Sequence, residues 1–281
     1  MTDSIKFSVL MTTYNGETPD NLKASLDSIL VNQTVKPDQL VLVVDGPVSS
    51  SLDCVIAEYE QNHKGVVDVV RMPENKGQSK ASAFGMQYVK YDLVARMDSD
   101  DISVSTRFER QINVFREHPE FSVVGGFIEE FSSDINEAGP LRTVPESDGD
   151  IKKAFRNRTP INNVTSMMKK QAIVSAGGYG RDTVNEDYSL YAHMWVNGAV
   201  FYNIQDVLVH VRVGNGMVKR RTDLRIFRDW VKDQHYLRVN RKHSVFVSFI
   251  SCAKCLAFVL MPAKIKNILY KKVLRSNKTN G

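Results

Sequence analysis

The sequence predicts an α/β fold: a mostly parallel sheet with helices on both faces, followed by a basic helical appendage. Three observations predict it. Strand-like and helix-like patterns alternate four times within the first hundred residues, the order that builds a parallel sheet. A polar cluster follows each of the four apolar strand patterns, which is where open α/β sheets bind ligands. Charge also divides the chain. Residues 219–281 carry 16 Lys or Arg against three acids, a net +13, whereas residues 1–218 carry a net −8. The expected division is therefore a catalytic body over 1–218 and a basic tail over 219–281.

Each element has its own signal. Lys6 to Thr13 is a short apolar run ending in hydroxyls and reads as a buried strand. Asn21 to Gln33 places Leu22, Leu26, Ile29 and Leu30 at helical spacing. Gln39 to Val44 is a second buried strand, stopped by Asp45-Gly46-Pro47. Leu52 to Asn62 is helical, Val66 to Arg71 a third strand, Gly77 to Lys90 a helix and Asp92 to Met97 a fourth strand. Thr106-Arg107-Phe108 opens a helix, and residues 132–150, rich in Ser, Asp, Gly and Pro, read as a surface loop. Tyr188 to Val196 is helical, and Val207 to Val209 ends another strand before His210 and Arg212.

The strand ends carry the chemistry. Thr12-Thr13-Tyr14-Asn15, Asp45-Gly46, Asn75-Lys76-Gly77 and Asp98-Ser99-Asp100-Asp101 converge on one edge. Three carboxylates within four residues repel one another unless a cation lies among them. Hard divalent cations such as Mn²⁺ or Mg²⁺ favour oxygen ligands, often together with substrate phosphates. Asp98 and Asp100 are therefore candidate metal ligands; the alternative is a helix N-cap with first-turn acids. Asp45 either holds an Asp-Gly turn or accepts from a nucleobase or ribose. Asn75 and Gly77 either open a helix or let the backbone and Lys80 approach a diphosphate. Glu186 and Asp187 follow the flexible Gly177-Gly178-Tyr179-Gly180 and open a helix. They are candidates for a general base, or else acids stabilising a helix start. His210, Arg212 and Arg220-Arg221 are cations that could clamp a diphosphate.

Taken in order, FSVLMTTYN, LVLVVDG, NKGQSKASAFG, VARMDSDDIS, TRFERQ and GGYG…NEDYSLYAHMWVNG resemble the successive signatures of family 2 glycosyltransferases over about residues 6–215. The resemblance is strongest to bacterial enzymes of O-antigen and exopolysaccharide assembly of the amylovoran type, whose C-terminal pattern resembles Pro262…Tyr270-Lys-Lys-Val-Leu-Arg275. It implies the Rossmann-like GT-A fold and inverting transfer of a hexose or N-acetylhexosamine from a nucleotide diphosphate, such as a UDP-sugar. The implied acceptor is a saccharide on undecaprenyl diphosphate. Thr12, Thr13, Tyr14 and Asp45 would then line the nucleoside pocket. Asp98 would contact the nucleotide, Asp100 would bind the metal and Asp187 would be the base; spacing alone does not choose between Asp187 and Glu186.

Composition bounds the alternatives. At 281 residues, 42% hydrophobic and 25% charged, the chain is an ordinary globular protein. Three cysteines make no disulfide framework, and MTDSIKFSVL is not a secretory signal, so a cytoplasmic location is expected. Val245 to Met261 is apolar but interrupted by Lys254 and flanked by bases. This fits an interfacial helix on an anionic membrane, here the inner face of the cytoplasmic membrane. A sugar-nucleotide nucleotidyltransferase would need a Gly-rich, Arg-containing loop after the first strand, whereas TTYNGETPD has one Gly and no Arg or Lys. A non-enzymatic basic protein binding RNA or lipid would leave the acidic strand ends without a purpose, so nucleic acid is not the expected partner. The oligomeric state is left open.

Overall fold

The computed structural model describes residues 5–132, 135, 139–213 and 224–261. Its first half follows the predicted alternation: β1 (Phe7–Thr13), α1 (Pro19–Leu30), β2 (Gln39–Val44), α2 (Ser50–Asn62), β3 (Val67–Arg71), α3 (Gln78–Gly85) and β4 (Leu93–Asp98). Then come β5 (Ile102–Ser103), α4 (Arg107–Glu117), β6 (Val123–Phe131), β7 (Leu141–Arg142) and α5 (Asp148–Ala154). A 3-10 turn (Asn163–Thr165), β8 (Met167–Lys169), α6 (Lys170–Ser175), α7 (Glu186–Val196), β9 (Phe201–Arg212), α8 (Leu224–Val239) and α9 (Val245–Leu260) complete the order.

Local chemistry accounts for the boundaries. Thr18 caps α1 by accepting from the Asn21 amide, and Pro19 occupies the first helical turn, where its missing N–H costs nothing. Ser49 and Ser244 cap α2 and α9 in the same way. All six residues of β2 are buried, as expected of a strand covered on both faces. Side chains alternate along the strands: Val9, Met11, Leu40 and Leu42 join one core cluster with α1, α2 and α4. Leu10, Val41 and Val43 join a second with α3, α5 and α7. Trp230 and Leu237 of α8 belong to that second cluster.

The nine strands form one sheet in the order β3-β2-β1-β4-β8-β6-β9-β5, with β7 on β6. β3, β2, β1 and β4 are parallel. Beyond β4 the sheet becomes mixed: β8 runs antiparallel to β4 and β6, while β6 and β9 pair in parallel through two register shifts. Chain order reverses between β1 and β4, and this switch point sets Thr12 directly beside Asp98. Residues 132–150 contain more than a loop, because β7 pairs with β6 and Ser147 caps α5.

Candidate active site

The first wall of the site is built by β1, β2 and the loop into α3. Asp45 is buried just past β2. Its two carboxylate oxygens accept from the backbone amides of Lys76 at 2.7 Å and Gly77 at 2.8 Å. Asn75 Nδ2 donates to the Asp45 carbonyl. Gly46 adopts φ +85°, and a Cβ there would lie 2.5 Å from the Asn75 nitrogen, so only glycine lets the two loops touch. Asp45 therefore organises the Asn75–Gly77 loop before it can meet any ligand. Thr13 is buried and Tyr14 is half exposed at the mouth. Lys80 is exposed on α3.

The acidic turn after β4 forms the floor. Asp98 Oδ1 accepts from Arg96 Nη2 at 3.0 Å and from Gln78 Nε2 at 2.9 Å. Ser99 donates to Glu17, which the β1–α1 loop supplies. Burial, then Asp98 and Glu17, push the Asp100 carboxyl up to about 6. Asp101 is also held well above the usual carboxylate range by burial and by Asp98 and Asp100. Arg212, at the end of β9, donates from its amide to Asp101 and from Nε to the Asp100 carbonyl. His210 lies two residues earlier, with Nδ1 3.5 Å from Glu129. Arg220 and Arg221 lie outside the described residues, as does the Pro262–Arg275 pattern.

Carboxyls raised by burial and then by the charge of neighbouring acids, as Asp100 and Asp101 are, fit a divalent cation, which would offset both. Among the described residues no group of three or more Asp, Glu, His or Cys side chains is assembled to hold a metal alone. A cation at Asp98 and Asp100 would thus draw its remaining oxygens from substrate and water, the habit of Mg²⁺-like ions at phosphates.

Glu186 and Asp187 form the first turn of α7. Burial pushes Asp187 up to about 7; Glu186 and Asp98 add to the rise, and Arg96 and Arg142 oppose it. Glu186 is raised by burial too, against Arg96 and a hydrogen bond from Ser79. Ser79 also accepts from the Gly180 amide, which ties α3 to the glycine-rich segment before α7. The Tyr179 hydroxyl is buried without a hydrogen-bond partner, and burial raises its pKa in the same charge field.

One buried cation links the two acid groups. Arg96 is 1% exposed, and burial opposes its charge. Asp98, Tyr179, Glu186 and Asp187 outweigh that penalty and raise its pKa. Arg107, fully buried behind it, donates to the Arg96 carbonyl; burial lowers this second guanidinium to about 9. Sequence reasoning missed Glu17, Arg96, Arg107 and Tyr179. The available signal was an arginine inside the apolar run before Asp98, which a strand tolerates only when the charge is paired.

Comparison with known proteins agrees with this architecture. The family model described as glycosyl transferase family 2 matches residues 8–175. The chain is 35% identical to the amylovoran biosynthesis glycosyltransferase AmsE of Erwinia amylovora, covering 95% of this chain and 98% of that protein. It is 34% identical to an Escherichia coli UDP-Gal:alpha-D-GlcNAc-diphosphoundecaprenol beta-1,3-galactosyltransferase, covering 97% and 98%. Among solved structures, Staphylococcus aureus TarS 1–349 in complex with UDP-GlcNAc superposes with a TM-score of 0.66 at 16% identity. That match spans 96% of this chain and 76% of that one and shows the shared GT-A architecture. The protein is a glycosyltransferase belonging to glycosyl transferase family 2.

Proposed function

We propose that the enzyme transfers a hexose or N-acetylhexosamine, with inversion, from a UDP-sugar to a saccharide carried on undecaprenyl diphosphate. The observation that carries the reading is the pair of acid groups joined by Arg96: the acidic turn at Asp98–Asp101 and Asp187, held at about 7. A base works best with a pKa near the working pH. Asp187 would take the acceptor hydroxyl's proton as that oxygen attacks the anomeric carbon opposite the leaving diphosphate. Burial, with repulsion from Glu186, keeps the base's proton affinity high. Asp98 and Asp100 would hold Mn²⁺ or Mg²⁺, which when bound would neutralise charge on the departing diphosphate. Thr12, Thr13, Tyr14, Asn75 and Gly77 would receive the nucleoside, within a loop set by Asp45. Arg212, Lys80 and His210 would supply donors toward the diphosphate.

The test uses the donor and acceptor for which the Escherichia coli relative is named. UDP-galactose and α-N-acetylglucosaminyl diphosphate on a short alkyl chain should give a β-linked product, since the donor is α-linked. An α-linked product, read by NMR, would overturn inversion. Absence of transfer from every nucleotide sugar in a broad panel would overturn the donor class.

We further propose that residues 219–281 attach the catalytic body, residues 1–218, to the anionic cytoplasmic face of the membrane. The support lies in α9. Its polar Ser248 and Ser251 face inward, Ser248 donating to the Gln234 carbonyl and Ser251 accepting from Trp230 Nε1. Its apolar Val245, Phe246, Phe249 and Leu260 face outward, with Phe246 72% exposed and Phe249 71%. A helix with its apolar side turned away from the protein suits the headgroup boundary. Arg241 and Lys242 at its start add attraction of ~1 kcal/mol each near anionic lipid. Among the described residues no helix is long and apolar enough to cross a membrane. Vesicles containing phosphatidylglycerol should pellet the protein. Phe246→Ser with Phe249→Ser, both on the exposed side, should cut that binding about tenfold or more, since burying a phenylalanine is worth ~1.5–3 kcal/mol. Equal pelleting of the variant would show that α9 is not the membrane contact.

A further inference from the structure

We infer that the cavity between α7 and α8 is an acceptor subsite, shaped for a neutral saccharide ring of the lipid-linked acceptor. The inference rests on the transferase reading and adds a site to it. The cavity has a volume of about 360 Å³, at the lower end of the ~300–1,000 Å³ typical of small-ligand pockets. Its lining includes Arg181, Asp182 and Thr183, a few residues before Glu186, and Val239, two residues before Arg241 in the turn into α9. Its α7 wall, Ser189 and His193, stands on the same helix whose first turn carries Glu186 and Asp187.

The lining has the chemistry of sugar recognition. Asp233 is 5% exposed and lines the cavity, yet its Oδ2 has no hydrogen-bond partner. An orphaned, buried carboxyl oxygen is costly unless a donor reaches it. Burial pushes this carboxyl up to about 7, with Ser189 donating to it, Asp229 repelling it and Arg181 and Lys232 attracting it. Asp229 is already engaged, accepting from the Val184 amide and Arg228. His193 and Tyr236 stack at 3.8 Å with planes 7° apart and both line the same space. A carboxylate acceptor beside an aromatic pair matches the hydroxyls and C–H face of a sugar ring. The lining acids Asp229 and Asp233 are balanced by Arg181 and Lys232, which suits a neutral ligand.

The wall is fixed to the segment that carries the base. Val184 N–H donates to Asp229, and Asn185 Nδ2 donates to the Ile226 carbonyl on α8. Arg181 donates to the Gly178 carbonyl while feeling Asp233, Tyr236 and Glu186. A ring seated here would therefore hold the acceptor in a constant position relative to Glu186 and Asp187.

Saturation-transfer NMR in the presence of UDP reads this site without turnover. The probe is an alkyl diphospho-disaccharide ending in N-acetylglucosamine, so that one ring can meet Asp187 while the other occupies the cavity. Wild-type protein should saturate the sugar-ring protons. Asp233→Ala and Tyr236→Ala, made separately, should each weaken probe binding at least tenfold, while calorimetric UDP affinity reports an intact donor site. Acceptor KM should rise by a similar factor with little change in kcat. No saturation in the wild type, or variants that bind the probe as tightly as wild type, would overturn the subsite. If the probe binds and both variants lose it, yet no sugar is transferred, the subsite stands and the choice of donor fails.

Discussion

Replacing Asp187 by asparagine is expected to lower transfer by about 10²–10⁴, the usual contribution of a positioned general base. Asparagine keeps the size and polarity of the side chain and removes its basicity. UDP binding should survive, because the proposed donor wall of β1, β2 and the Asn75–Gly77 loop is held by Asp45 rather than by Asp187. The pH profile supplies a second signature. Asp187 must be ionised to accept a proton, so the wild-type rate should rise as pH passes through about 7, and that limb should vanish in the variant. Stability should move the opposite way. A carboxyl raised in the folded state contributes stability at low pH that is lost as pH rises through its folded pKa. Asp187→Asn removes the charge that the fold disfavours above pH 7. The variant should therefore be more stable at pH 8, by on the order of a few kcal/mol, and melt at a higher temperature. A dead Glu186→Gln with an active Asp187→Asn would move the base to Glu186. Loss of UDP affinity in Asp187→Asn would make that residue structural.

The parts of this site that could be read from sequence are those set by short-range pattern. Strand and helix alternate with clear punctuation through β4, and ligands gather at strand ends for reasons of topology, so the acidic turn and Glu186-Asp187 stand out in one dimension. The misses are long-range. α3 ends at Gly85 rather than at Lys90, and Gly85 lies so close to the sheet that a Cβ there would meet Leu10 and Val43 side chains at 2.6 Å. His210 and Arg212 lie within β9 rather than after it, since β9 follows β6 in parallel through Arg212. Nothing local announces that pairing across about 80 residues. Arg96 shows the same limit: the run VAR-Met-Asp marks a buried strand, but only the fold brings its guanidinium into the electrostatic reach of Glu186 and Asp187 as well as Asp98. The inward serines and outward phenylalanines of α9 needed the position of α8, which a periodic pattern does not supply. Family membership retires the nucleotidyltransferase reading and the purely binding one.

Removing the divalent cation should abolish transfer, and Asp100→Ala should lower the rate about a hundredfold or more even with Mn²⁺ or Mg²⁺ present, because charge stabilisation by a metal is worth several kcal/mol. Asp98 and Asp100 should behave differently when replaced. Asp100 sits among like charges, with burial, Asp98 and Glu17 all pushing its pKa to about 6. Its loss relieves repulsion, so Asp100→Ala should stay folded and turn over poorly. Asp98 is the ion-pair partner of a guanidinium that is 1% exposed, at 3.0 Å. Asp98→Ala strands that charge, and breaking a buried pair costs ~3–5 kcal/mol, somewhat less here because the Asp98 side chain is 31% exposed. This variant should melt well below wild type as well as lose activity. The comparison separates a ligand role from a structural one at two neighbouring positions. Excess EDTA should silence the wild type, and added Mn²⁺ should restore it without changing the fold seen by circular dichroism. Undiminished transfer in excess EDTA would overturn the metal reading and leave Arg212, Lys80 and His210 as the proposed partners of the leaving diphosphate.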